Sequence, residues 1–289
     1  FYTMPEYIRD FVETRPMITA FEGAFGKSDP NDPNVGVASS IATINPDERL
    51  EIVNAVRPLV EAAPDTLSAT DFEAASHQLL FSKVRVTAED LRVMVIEAGG
   101  NAELLTDQVM VRKRQVNPEF IVNIDAGAIV LFQVLISFLM ARFHRFTTMI
   151  TGMVIAAIGI GLSAFAGGSG MTGLGGSVWI VALGLFIFAI GEMMASPTSQ
   201  EYVGRIAPAD KKALYMGYYF VAVALGNLFG GILSGELYGR LARDMQRPDL
   251  MWLAFGGLML LTALVFLLYN KLALPKHASG SLTDEPTSA

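Results

Sequence analysis

The sequence predicts an all-α, polytopic membrane protein, and two observations carry that prediction. The charge is unevenly placed. Most of the 28 acidic residues lie before Asp125, whereas the stretch from Ala126 to Tyr269 is largely apolar. Within that stretch, apolar runs near bilayer length follow one another, and none alternates as a barrel strand does. The composition agrees, since 52% of the 289 residues are hydrophobic, 17% are charged and the mean hydropathy is +0.43. A soluble domain of this size carries more charge.

The first residues, Phe1 to Ile8, have neither the basic region nor the apolar core of a signal peptide, and Phe1 is not an initiator. The sequence therefore reads as beginning part-way through something larger. Residues 13–117 are expected to form a mainly helical extramembrane domain. Asn45-Pro46-Asp47-Glu48 is a helix start, with a capping side chain, proline at the first helical position and acids in the first turn. Leu50, Val53, Val56 and Val60 then recur at helical spacing. Thr87-Ala88-Glu89-Asp90 has the form of a capping box with Asp in place of Glu, and Gly99-Gly100 ends the helix that follows. Lys27 to Asn34 superficially resembles a calcium loop but lacks the ligand spacing and closing Glu of an EF-hand. It reads as Asx and proline turns.

A spanning helix needs about 20 mostly apolar residues to cross a hydrocarbon core of about 30 Å. Pro118–Ala141 is the first candidate, opened by Pro118 and closed by Arg142-Phe143-His144-Arg145. Thr147–Ala166 is the second and ends at a Gly-rich loop. Ser177–Ala195 is the third, stopped by Ser196-Pro197. Leu214–Leu237 and Leu250–Tyr269 complete the set, and residues 271–289 form a disordered tail. Arg142, Arg145, Arg205, Lys211, Lys212, Lys271 and Lys276 fall on one side, which the positive-inside rule assigns to the cytoplasm together with the tail. Arg112, Lys113 and Arg114 pull the other way. The 13–117 domain is accordingly placed outside the cytoplasm.

Several function classes are excluded or unsupported. With no cysteine there is no disulfide, thiolate metal site or thiol nucleophile. A net charge of −7 and a pI near 5.0 argue against a nucleic-acid partner. The histidines at 77, 144 and 277 are scattered, with no metal or triad pattern, and no phosphate loop is present. No catalysis and no cofactor are expected. The membrane half itself carries one acid well inside a span, Glu192. A carboxylate there costs about 2.5 kcal/mol or more, so it requires a partner or a watery cavity. Ser196, four residues on, shares its helix face. The pair is able to bind an ammonium or carry a proton; alternatively Glu192 belongs to a structural ion pair or reaches the interface. Asp125 and Glu236 lie near span ends, where solvated or capping roles apply. Gly226/Gly230 and Gly231/Gly235 are small-xxx-small pairs that permit close helix approach.

The run Gly191-Glu192-Met193-Met194-Ala195-Ser196-Pro197, then Ile206-Ala207-Pro208, then Tyr215-Met216-Gly217-Tyr218-Tyr219-Phe220, resembles the proton-dependent oligopeptide transporters of the major facilitator superfamily. Gly226-Asn227 and Val116-Asn117-Pro118 extend the likeness, which covers residues 116–270, and Phe1–Val12 looks like the outer end of that family's seventh helix. The resemblance implies that Glu192 receives a peptide's amino terminus, with Ser196 beside it. It places Tyr219 where the family has a pocket Trp, and Asn117 at a peptide contact. It also implies an integral protein of a bacterial inner membrane, a missing N-terminal six-helix half as partner, and a small peptide and protons as cargo. The family's first six helices and its E-x-x-E-R signature are not in this sequence, and the 13–117 domain is not usual there. The expectation is the C-terminal half of a proton-coupled symporter working by alternating access. The rivals are a scaffolding membrane subunit and a facilitator for drugs or sugars.

Overall fold

A computed structural model of the chain describes residues 3–26, 41, 46–62, 67–81, 84, 86–113, 115–167 and 177–272. The regular secondary structure among these residues is helical, with no strand. The chain divides into two compact units, one of Met4–Ile121 with Gly176–Val178, the other essentially Val122 onward.

The first unit contains α1 (Met4–Phe11), α2 (Arg15–Phe25), α3 (Pro46–Glu61), α4 (Ala69–Phe81), α5 (Ala88–Ala98) and α6 (Ala102–Lys113). The core joins α3 to α6. Ile52, Ala55, Val56 and Leu59 meet Phe72, Leu79, Leu91, Val95, Leu105 and Val109, all buried. Of the expected stripe, Val56 is in this core and Val60 packs against it, whereas Leu50 is 65% exposed. Positions 52, 55, 56 and 59 follow i, i+3, i+4, i+7 more closely than 50, 53, 56 and 60, so they present a narrower face to the core. Thr87 caps α5, its side chain accepting the Asp90 N–H at 3.1 Å, and Gly99 takes the left-handed conformation (φ +56°) that ends the helix. A cap with the reverse bonding, the other half of a capping box, stands at α4. Ser68 donates its backbone N–H to Asp71 Oδ2 at 2.8 Å and its hydroxyl at 2.7 Å, and those bonds hold the Asp71 carboxyl below the usual carboxylate range. Asn45 and the 27–34 run lie outside the described residues. The Val116 N–H donates to the Thr14 hydroxyl at 2.9 Å, which brings the two ends of the 13–117 segment together.

Among the described residues, five helices are long and apolar enough to cross a membrane: α7 (Pro118–Met140), α8 (Arg145–Leu162, continued by a 3-10 turn to Phe165), α9 (Val178–Ile206), α10 (Lys212–Leu237, continued as a π-helix over Tyr238–Asp244) and α11 (Pro248–Leu272). The third span does not stop at Ser196-Pro197. It runs through Pro197 for another nine residues to Ile206. Pro197 cannot donate to the Met193 carbonyl, but spanning helices absorb such a loss where neighbours support the backbone.

Glycine sets the tightest packing, at α8 against α9. A Cβ on Gly159 would stand 2.6 Å from the Gly184 carbonyl oxygen, and one on Gly191 2.5 Å from that of Gly152. Both pairs are seven residues apart on their own helices, so they lie on one face of each. Within this chain, Gly226, Gly230 and Gly235 of the pairs expected on α10 do not play this part, since a Cβ on any of them would meet nothing within 4 Å. Gly256 brings α11 against Ala157 and Gly161 of α8. At one end of the same three helices, the ring of Phe146 meets those of Tyr202, Phe266 and Tyr269 at 5.7 to 6.5 Å.

Candidate functional site

Helix α9 places Glu192 half-buried, between the fully buried Ala189 side of the helix and Met193. Ala189 and Met193 form one apolar cluster with Ala128 of α7, and Phe132 and Phe186 meet edge to face at 5.8 Å beside it. Asp125 lies one turn before Ala128 on α7, within electrostatic reach of Glu192. One of its carboxylate oxygens is buried and finds no hydrogen-bond partner. The site thus holds two carboxylates on facing helices where the sequence suggested one. Two acids beside an apolar contact are able to take up a proton or to receive a cation, because two unshielded charges are costly there.

The remaining site residues are distributed along the same element and its neighbours. Ser196 is exposed, on the Glu192 face of α9. Tyr219 on α10 is half-buried, and its hydroxyl lies 2.9 Å from Ser199, not Ser196. Asn117 belongs to the first unit. Its side-chain oxygen accepts the Glu119 N–H at 3.1 Å and its carbonyl accepts the Phe120 N–H at 3.0 Å, so it caps the start of α7. Asp125 and Ser199 are the two functional candidates that sequence reasoning missed. Asp125 reads as a span-end acid, and Ser199 falls beyond the expected end of its helix. Toward the end of α9, Glu201 takes Arg145 of α8 at 3.0 Å and Arg205 at 2.7 Å. Among the described residues no group of His, Asp and Glu is placed to hold a metal ion.

Long helices packed through glycine around half-buried carboxylates define an integral membrane protein. Residues 119–288, more than half of the chain, match the family model of the Major Facilitator Superfamily, and the chain belongs to that family. It is 29% identical over 98 residues to the peptide transporter YePEPT of Yersinia enterocolitica, covering 32% of this chain and 18% of that protein. It is 30% identical over 70 residues to the multidrug resistance protein MdtH of Escherichia coli O157:H7, covering 24% of this chain and 17% of that protein. The matched stretches therefore span under a fifth of the length of these relatives. No solved structure matches.

Proposed function

We propose that this chain is the C-terminal half of a proton-coupled symporter for peptides or related small solutes, working by alternating access with a second set of six helices in a bacterial inner membrane. The observation that carries the reading is the placement of Glu192. It is a half-buried carboxylate inside a span, opposite a second acid, with Ser196 on its own helix face. A substrate ammonium at Glu192 satisfies the charge, and protonation of the pair satisfies it when substrate is absent. Binding at mid-membrane between rocking halves is the general geometry of such carriers. The side-chain oxygen of Asn117 caps α7, and only the family resemblance makes this residue a peptide contact. The relative YePEPT, a peptide transporter by name, supports peptides as the cargo.

The test is uptake of a labelled dipeptide by the full-length protein in proteoliposomes with an imposed proton gradient. Glu192→Gln is expected to abolish uptake while the protein still inserts and unfolds at nearly the parent temperature. Unchanged uptake would sink the assignment. The similarity to MdtH favours a second reading, export of amphiphilic drugs. Competition separates the two: dipeptides displace the probe in the first case and lipophilic cations in the second.

A further inference from the structure

Ser199 lies inside α9, seven residues past Glu192 and three past Ser196, so the three follow i, i+4, i+7 along one face. Its Oγ stands 2.7 Å from the Ser196 carbonyl oxygen and 2.9 Å from the Tyr219 hydroxyl. A serine hydroxyl has one proton to donate. The carbonyl can only accept, so the Ser199 proton goes to Ser196 and the Tyr219 hydroxyl donates to Ser199. The direction of both bonds is therefore fixed, and each strengthens the other through the shared hydroxyl. Helical rise puts the anchored end of Tyr219 about 10 Å along α9 from Glu192 and about 4.5 Å from Ser196. The Tyr219 ring is also held edge-on by Phe220 at 5.5 Å.

We propose that Ser199 is a positioning residue. By accepting the Tyr219 hydroxyl it pins that ring across one end of the Glu192–Ser196 face and so sets how large a substrate side chain the site accepts. The role rests on the substrate reading of Glu192. It joins α9 to α10 at a point where the glycines of α10 supply no close contact, so the ring's position depends on the hydroxyl pair. Losing either hydroxyl frees the ring to swing away from α9. Keeping a hydroxyl at 199 on a branched side chain holds it.

The experiment compares kcat/KM for dialanine and alanyl-phenylalanine, transported by the full-length protein in proteoliposomes and expressed per inserted molecule. Ser199→Ala and Tyr219→Phe are each expected to shift the ratio in favour of the bulkier peptide by about threefold to tenfold, the range of one neutral hydrogen bond. The double variant shifts it no further than either single one, because both remove the same bond. Ser199→Thr retains the parent ratio. An unchanged ratio in the two single variants, or a double variant whose shift is the product of the singles, overturns the proposal. If Ser199→Ala does not insert, Tyr219→Phe breaks the bond from the other side, and its unchanged ratio has the same force. Glu192→Gln run alongside separates the two ideas. Transport that persists there overturns the substrate site itself. Transport lost there, with the ratio unmoved in the hydroxyl variants, overturns the positioning role alone.

Discussion

Arg145 Nε lies 3.0 Å from Glu201 Oε2, and the next residue on each helix, Phe146 and Tyr202, meet edge to face at 5.7 Å. A charged pair and an aromatic pair thus close the same end of α8 against α9. The ions are 30% and 40% exposed, so water and salt screen much of their attraction. Glu201→Gln should lower stability by about 1 kcal/mol or less. Thermal unfolding of the purified protein should show a drop of about 2 °C in low salt, shrinking toward zero in 1 M salt. A drop that is independent of salt would show that packing, not charge, is lost.

The glycines of α8 and α9 give a sharper result. A Cβ at Gly159 would come within 2.6 Å of the Gly184 carbonyl oxygen, and backbone cannot turn aside as a flexible side chain does. Gly159→Ala should cost about 1 to 3 kcal/mol by forcing the helices apart. Gly226→Ala and Gly230→Ala on α10 meet open space and should leave unfolding of this chain within about 0.5 kcal/mol of the parent. Scanning calorimetry of the three variants decides it, and a larger loss at 226 or 230 than at 159 contradicts the assigned packing.

The proposed proton coupling makes a prediction for Asp125. If Asp125 and Glu192 carry the coupling proton, Asp125→Asn should uncouple transport from the gradient. Uphill uptake driven by an imposed pH difference should fall at least tenfold, while exchange of labelled for unlabelled substrate at equal pH continues. Loss of both activities would assign Asp125 to binding, and retention of both would remove it from the mechanism.

The cap at α4 titrates in a defined direction. The Ser68 hydroxyl and backbone N–H favour the ionised form of Asp71, whose folded-state pKa is therefore depressed. A depressed carboxyl contributes stability above the unfolded-state pKa and loses it as pH falls through the folded one. Ser68→Ala removes the hydroxyl bond, so the Asp71 midpoint should move up toward the ordinary range, read by NMR of its carboxyl carbon. A midpoint that stays put would show that the backbone N–H alone holds it.

Much of this architecture is legible in the residues because length and apolarity are strong signals in a membrane. The five spans, the cap at Thr87 and the left-handed Gly99 all follow from local chemistry. What the sequence hides depends on neighbours. Pro197 reads as a stop, yet α9 continues, and with that continuation Ser199, Glu201 and Tyr202 become part of a single helix. Leu50 and Ile52 begin two stripes that local spacing ranks almost equally, and only the partners α4 to α6 choose between them. The Gly-rich stretch of α10 draws the eye to four-residue spacing, while the glycines that touch recur every seven. Ser68-Ala69-Thr70-Asp71 carries the same cap pattern as the run at Thr87 and could have been found by the same rule.

The hydrogen bond from Val116 to Thr14 spans 102 positions of sequence and under 3 Å of space. A segment whose entry and exit meet in this way leaves and rejoins the fold at nearly one point. The entropic penalty of closing a loop grows only with the logarithm of its length, so lengthening such an excursion adds little. Residues added or removed far from this seam therefore leave Thr14 and Val116, which form it, in place.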